Sequence, residues 1–392
     1  MGWVCNNCNN NYKFIELNKV FTNVFQDETT KINKIVNKFV EKPLIQVKCA
    51  KCSSSNIKWV NLVDQDSSYL FAENLFVFSN FFIDTMVLEI TNKCNLNCIY
   101  CPRIYKSSEL DIGFIKKIIK ENYNLKNPIK FFELGWDMGN PLIHPNIKEI
   151  LKIFLEKECN VNILTNGKNF FYYLKKSKIE NIILNSKKFS LTFFLDHPVK
   201  DLNDFLMSKN CYNESIKVFE FLKNNNIKFN IYMRISKYNF NQIKKMQELV
   251  KKFDSNLTPI ELYPIGKMDE DMIINDKQKK VVLDDIKRYN LNLSIHFNKA
   301  FSENNCTYQR KKRLCINARK ELSFCHFLTS IDLTKIKNID NISLLELIQI
   351  NNQIREGFLK NKNRNFKNWQ KPRETSSPCS YCLSAFGINK QW

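Results

Sequence analysis

The chain reads as an α/β protein organised on a parallel sheet, with a small cysteine-rich unit at each end. Three observations predict this. From Met86 to residue 300, short apolar runs alternate with amphipathic helical stretches, the pattern of repeated βα units. The 14 cysteines fall largely into close pairs and one triplet, at the start, the first third and the end. With 44% apolar residues and 31 Phe, the 392-residue chain can fill more than one ordinary core, so two or three units are expected.

At the start, Cys5-x2-Cys8 and Cys49-x2-Cys52 form two short knuckles whose four thiolates can close a tetrahedron. That predicts a zinc ribbon over 1–61; a rubredoxin-like iron site would use the same ligands. The insert between the knuckles is expected to fold. Ile32, Ile35, Val36, Phe39 and Val40 share one helical face within Glu28–Glu41, and Pro43 stops that helix before a strand at Leu44–Val47. Residues 62–85 read as a linker or packing segment.

The strand entered at Met86 runs into LEITNKCNLNCIYCPR, Leu88 to Arg103, which sets Cys94, Cys98 and Cys101 on one loop with Tyr100 before the last. Three such cysteines can hold three corners of a [4Fe-4S] cubane and leave its fourth iron open, whereas structural zinc wants four ligands. A zinc site completed by a distant His is the rival reading.

The βα pattern then continues. Ile112, Ile115, Ile118 and Ile119 share a helical side, and Ile129–Leu134 is a strand. Trp136–Leu151 is a turn leading into a helix that buries Ile147, Ile150, Leu151 and Phe154. Strands follow at Val161–Leu164, running into Thr165-Asn166-Gly167, at Phe189–Asp196, at Ile227–Ile235 and at Leu257–Pro264; a helix is expected from Asn239 through Phe253. Of the four histidines, His144 and His197 fall in turns and His326 follows Cys325, so none is assigned a catalytic role. Cys159 and Cys211 lie in helical patterns and read as packing residues.

The formal charge of +21 invites a nucleic-acid partner. Yet only nine of the 60 basic residues are Arg, and the Lys are dispersed among abundant Asn, Ile and Phe, which reads as a compositional bias with an ordinary solvated surface. No membrane partner is expected, because Glu73, Asn74, Asn80, Asp84 and Glu89 interrupt the most apolar window, Tyr69–Ile90. MGWVCNNC carries neither a secretion nor a myristoylation signal, so a cytoplasmic location and metal-ligating rather than disulfide-bonded cysteines are expected.

The C-x3-C-x2-C spacing, the aromatic Tyr100 and the Ile-Thr ending of the preceding strand resemble the radical S-adenosylmethionine (SAM) enzymes. The resemblance implies a [4Fe-4S] cluster on Cys94, Cys98 and Cys101 whose open iron SAM chelates, with Tyr100 at the cofactor. Where that family carries a Gly-rich run ending in Glu and followed by Pro-Leu, this chain has Asp137-Met138-Gly139-Asn140-Pro141-Leu142. Gly139 and Asn140 would therefore receive the SAM ammonium, Asn140 through an amide oxygen in place of a carboxylate. Ser190 and Asp196 would lie near the SAM ribose or the mouth of the site, and Arg234 would meet the SAM carboxylate. RLCINARKELSFCHF with the late Cys379-x2-Cys382 resembles a SPASM or twitch extension, with Lys320 where that extension often has Gly. It implies an auxiliary [4Fe-4S] cluster on Cys315, Cys325, Cys379 and Cys382, with zinc as the alternative.

The implied fold is a partial (β/α)6 radical SAM barrel over 86–300, flanked by the N-terminal zinc ribbon and a small C-terminal Fe-S domain over 301–392. The implied chemistry is reductive cleavage of SAM and hydrogen abstraction from a substrate C–H bond, foremost in maturing a peptide or protein. Modification of a sugar or other small metabolite, and a metal-dependent nucleic-acid-binding protein, are the alternatives. The partners implied are the substrate and a reductant such as flavodoxin or ferredoxin.

Overall fold

The computed structural model describes the backbone strands 2–5, 11–13 and 57–60, and residues 83–101, 107–125, 127–135, 139–262, 270–291, 313–323, 335–336 and 338–352. Cys8, Cys49, Cys52, Cys306, Cys325, Cys379, Cys382, His296, His326 and the expected helix and strand within 28–47 lie outside the described residues, as does the stretch Trp136–Met138. By compactness the chain divides into Met1–Phe82 with Asn352–Asn363, and Ile83–Asn351 with Arg364–Trp392. In the first unit, β1 (Gly2–Cys5) lies between β2 (Asn11–Lys13) and β3 (Ile57–Val60), antiparallel to both, with Cys5 opposite Ile57.

Among the described residues, the second unit is built on a nine-stranded sheet. Its centre is a run of parallel neighbours in chain order: β4 (Thr85–Leu88), β5 (Phe131–Leu134), β6 (Asn160–Thr165), β7 (Phe189–Phe194), β8 (Phe229–Ile235) and β9 (Asn256–Glu261). Between them run α1 (Ile112–Tyr123), α2 (Ile147–Glu156), α3 (Phe170–Ser177), α4 (Glu180–Asn185), α5 (Lys200–Leu206), α6 (Cys211–Asn224) and α7 (Ile243–Lys251), with α8 (Asp276–Arg288) after β9. Strands covered on both faces need near-continuous apolar sequence, and all four residues of β4 are buried. The helices need only a stripe, and α2 buries Ile147, Ile150, Leu151 and Phe154, the expected set. Asp111 starts α1 by accepting from Phe114 N at 2.8 Å.

Aromatic rings tie parts of a mainly aliphatic core together. Phe132 meets Phe154 with ring centroids 4.8 Å apart, and the fully buried Phe193 touches Phe170, Phe219 and Phe229 edge-on. Because Phe193 ties β7 to α3, α6 and β8, truncating it to Ala costs about 3–5 kcal/mol.

The expected helix from Asn239 begins later, at Ile243, because the Asn239 side chain is engaged with the ends of two strands. Cys211 opens α6 as its first residue, whereas Cys159 lies not in a helix but in the turn that leads into β6. The sheet also does not stop at 300. β10 (Leu314–Ile316) adds parallel to β4, and β11 (Leu322–Ser323) and β12 (Lys335–Ile336) follow antiparallel, so this segment extends the barrel sheet itself. Residues 344–352 are helical and form α9. No helix among the described residues is long and apolar enough to cross a membrane.

Candidate active site at the C-terminal mouth of the sheet

In a parallel sheet every strand ends on the same side, so the loops after β4 to β9 share one rim, the usual place for a ligand. The loop after β4 is tied down before it reaches the cysteines. Asn92 and Ser108 exchange backbone and side-chain hydrogen bonds at 3.1 and 2.7 Å, and Lys93 pairs with Glu109 at 3.0 Å. Gly139 presses on this loop with φ +81°, where an added Cβ would stand 2.0 Å from Thr91 O, so only glycine fits. Asn140 N then donates to Lys93 O at 2.7 Å.

Cys94, Cys98 and Cys101 sit half-buried on this braced loop, where Cys101 N donates to Cys98 O at 3.1 Å. Cys94 and Cys98 pack against Leu96, Leu164, Phe194, Leu206 and Leu262, a dry wall. Burial pushes the Cys98 thiol up, and Arg234 pulls it back down. The other two cysteines and Asp196 are near enough to add to the upward push. A thiolate at Cys98 therefore needs positive charge or metal to exist there. Among the described residues no three of His, Cys, Asp or Glu gather around a single ion position. Three thiols from one loop, an apolar wall and a nearby guanidinium fit an anionic thiolate-held cluster better than a lone cation.

Where the loop meets the ends of β7 and β8, the buried Tyr100 and Asp196 come together with the half-buried Arg234. Tyr100 Oη donates to Asp196 Oδ2, while Asp196 Oδ1 accepts from Arg234 N at 2.8 Å and the Arg234 guanidinium stands 3.7 Å from Asp196 Oδ2. Arg234 also stacks 3.6 Å from the Phe194 ring centroid and reaches Tyr100 Oη at 3.4 Å. Desolvation raises both Tyr100 and Asp196 above their ordinary ranges, and Arg234 with the tyrosine hydrogen bond counters it at Asp196. The arrangement presents one partly exposed cation at the mouth, held in place by a buried carboxylate.

Sequence reasoning missed what positions that carboxylate. Asn203 Oδ1 accepts from Asp196 N at 2.9 Å, and Asn239 donates to Asp196 O at 2.6 Å and to Arg234 O at 2.7 Å, stitching the ends of β7 and β8. A lone Asn after a strand carries no periodic signal, so only the contacts reveal it.

Among the expected residues, the fold brings Tyr100, Gly139, Asn140 and Arg234 to this rim, but Ser190 is not with them. Ser190 is the second residue of β7, exposed, and donates to Asn162 Oδ1 at 3.2 Å. Six residues of extended chain separate it from Asp196, about 20 Å, so it belongs to the opposite end of the sheet. Asn140 is fully buried, and its side chain is committed to protein. Its Oδ1 accepts from Leu142 N and Thr165 Oγ1 at 3.3 and 3.0 Å, and its Nδ2 donates to Asn95 Oδ1 at 3.2 Å. With both lone pairs used, that oxygen braces the cluster loop against β6 and leaves no acceptor for an ammonium. Cys315 is buried in the middle of β10, opposite Val87 and Ser323.

Fold and rim together define a parallel βα protein that carries a tri-cysteine loop at its strand ends. Residues 88–250 match the Radical SAM superfamily. The chain is 27% identical over 188 residues to the AdoMet-dependent heme synthase of Methanosarcina barkeri, covering 46% of this chain and 51% of that one. It is 26% identical over 165 residues to the antilisterial bacteriocin subtilosin biosynthesis protein AlbA of Bacillus subtilis, covering 42% and 36%. The chain thus matches about half or less of these curated relatives. In fold it is similar to Streptococcus suis SuiB bound to precursor peptide SuiA, with a TM-score of 0.57, 17% identity and coverage of 88% and 84%.

Proposed function

We propose that the protein reductively cleaves SAM and uses the resulting radical to abstract hydrogen from a C–H bond of a peptide or protein during its maturation. The observation that carries this is the tri-cysteine loop whose own Tyr100 meets Asp196 and Arg234 from the other side of the rim. Cys94, Cys98 and Cys101 would each ligate one iron of a [4Fe-4S] cluster. When bound, that cluster supplies the electron that breaks a carbon–sulfur bond of SAM, leaving methionine and a 5′-deoxyadenosyl radical. Arg234, held by Asp196, offers a fixed guanidinium to the SAM carboxylate; Tyr100 orients that guanidinium from the loop side. The Gly139 backbone would stand beside the SAM ammonium. Leu96, Leu164, Phe194 and Leu262 keep water and competing hydrogen donors away.

A peptide substrate is supported by the relatives whose names concern peptides, AlbA and peptide-bound SuiB. The heme synthase relative supports the second reading, a small metabolite. We further propose zinc on Cys5, Cys8, Cys49 and Cys52, an auxiliary [4Fe-4S] cluster on Cys315, Cys325, Cys379 and Cys382, a cytoplasmic location, and a flavodoxin or ferredoxin as reductant. The test is anaerobic: iron-reconstituted protein with dithionite and SAM should release 5′-deoxyadenosine, and Cys98→Ala should not. Wild-type protein with a full complement of iron that releases none would overturn the proposal.

A further inference from the structure

β8 alternates buried with partly exposed residues from Phe229 to Ile235, although it lies between β7 and β9 inside the sheet. The buried set faces the helices: Phe229 stacks on Phe219 of α6, as Phe132 of β5 meets Phe154 of α2. Residues next to these in the strands, Tyr232 and Glu133 among them, therefore point to the other face. The register carries that face across the sheet, since Glu133 pairs with Asn162 and Tyr232 with Thr258, and all four are partly exposed. It is polar, and it curls inward. On a flat sheet Glu133 would stand about 14 Å from β8, and Arg313, just ahead of β10, about 24 Å. Yet the charges of both reach the Tyr232 hydroxyl.

Arg313 Nη1 donates to Glu133 Oε2 at 3.0 Å, and the two side chains keep 16% and 15% exposure. Tyr232 joins this pair to the cysteines, because it packs against the apolar wall that also receives Cys94 and Cys98. Burial pushes its hydroxyl up to about 12, so it stays a donor at neutral pH. An ion pair taken partly out of water gains little over an apolar filling of the same space, and closed barrels are ordinarily filled with Val, Ile and Leu. A partly open interior with a few placed polar groups is instead the form of a ligand site.

We propose that Glu133, Arg313 and Tyr232 select the substrate residue by binding a neutral carboxamide, the side-chain group of Gln or Asn, beside the cluster site; the inference rests on the function proposed above. The ion pair is its own counter-charge, so a charged substrate group would give up its hydration for no net attraction. A carboxamide matches both halves. Its N–H donates to the Glu133 carboxylate, and its oxygen accepts from Arg313 and from the Tyr232 hydroxyl. A carboxylate has lone pairs and a guanidinium has N–H groups to spare, so the pair can hold the amide without parting. A substrate lacking either half would leave a desolvated group unmatched, which is how such sites reject analogues.

The test uses full-length, iron-reconstituted protein with SAM and no reductant. The probes are the N-acetyl methylamides of glutamine, glutamate and ornithine, which share a main chain and differ little in size. Affinity is read by ligand-observed NMR for wild type, Glu133→Gln and Arg313→Gln, with thermal midpoints as the check on folding. Wild type should bind the glutamine probe about tenfold more tightly than either charged one. Glu133→Gln leaves the Arg313 charge without its counter-charge and should turn the preference to glutamate; Arg313→Gln should turn it to ornithine. No glutamine preference in wild type would overturn the proposal, and so would a glutamine preference kept in both variants, since the amide would then sit elsewhere. Should the charge variants fail to fold, Tyr232→Phe decides: it should bind the glutamine probe about fivefold more weakly, and unchanged affinity would overturn the proposal. Failure of wild type to cleave SAM with dithionite would instead overturn the function and leave this site standing, because probe binding needs no cleavage.

Discussion

At Asn140 the amide oxygen and nitrogen join three pieces of chain: the turn at Leu142, the strand end at Thr165 and the cluster loop at Asn95. Replacing it with the family's Glu would set a buried carboxylate against Asn95 Oδ1 and remove the donor. Asn140→Glu should therefore destabilise the fold by about 1–3 kcal/mol and lower iron retention; tighter SAM binding in a calorimetric titration would show the oxygen faces the ligand. At Arg234 the stack on Phe194 and the bond to Tyr100 both need a planar guanidinium. Arg234→Lys should raise KM for SAM with iron content unchanged, read by 5′-deoxyadenosine release. His144 and His197 are buried and held neutral, His144 Nε2 meeting Leu110 O at 3.0 Å and each Nδ1 accepting a backbone N–H. Burial lowers both below the ordinary imidazole value of 6.5. The unfolded chain then binds more protons near and below that value, so this stabilisation is complete above it and drains away as pH falls toward the folded pKa. Thermal midpoints should drop on acidification from about pH 7 to about pH 5, and the drop should be shallower in His144→Gln; an equal slope in the variant would remove His144 from the account.

The β10–β11 hairpin shows how an element survives an unexpected residue. Lys320, where related extensions often carry Gly, takes φ +57°, the left-handed conformation that a glycine would adopt freely. Its ammonium offsets that strain by pairing with Asp111 and Asp340 at 2.6 and 2.5 Å, clamping the hairpin to the start of α1. The strain is worth about 1 kcal/mol, and each exposed pair at most about 1 kcal/mol after screening. Lys320→Gly should thus be within about 1 kcal/mol of neutral, whereas Lys320→Ala keeps the strain, loses the pairs and should cost about 1–2 kcal/mol; chemical denaturation distinguishes them. A second tie runs from α1 to the start of α9. Lys117 donates to Asp340 O and Ile342 O at 2.7 and 2.6 Å, and Glu121 accepts from Leu344 N at 2.6 Å. Lys117→Met should speed hydrogen exchange over 339–352 and leave β5 to β8 protected.

For the whole molecule, the prediction is modular metal content. Replacing Cys94, Cys98 and Cys101 together by Ala should remove about four irons per chain and leave zinc and any auxiliary iron in place, measured by elemental analysis. Removing Met1 to Asn61 should leave dithionite-driven SAM cleavage nearly intact and weaken binding of a peptide substrate, because a second contact raises effective concentration. Equal affinity after truncation would favour a small metabolite.

Much of this was legible in the chain. Period-2 and period-3.6 apolar patterns are local properties, so the six parallel strands and the stripe of α2 could be read from consecutive residues. The tri-cysteine loop was legible for the same reason, since its chemistry lies within eight residues, Cys94 to Cys101. The capping box at Ser343 and Glu346 was also there to be read, and went unused. What the sequence could not settle are the relations made across strands. Ser190 sits near the start of β7 and Asp196 just past its end, and both look equally polar, yet the strand's direction puts one at the mouth and the other about 20 Å away. Asn140 and Asn239 became braces because separate strand ends leave backbone and side-chain groups that must be paired once buried. Only the folded sheet, by bringing those ends to one rim, decided which polar residues would face a ligand and which would hold the rim together.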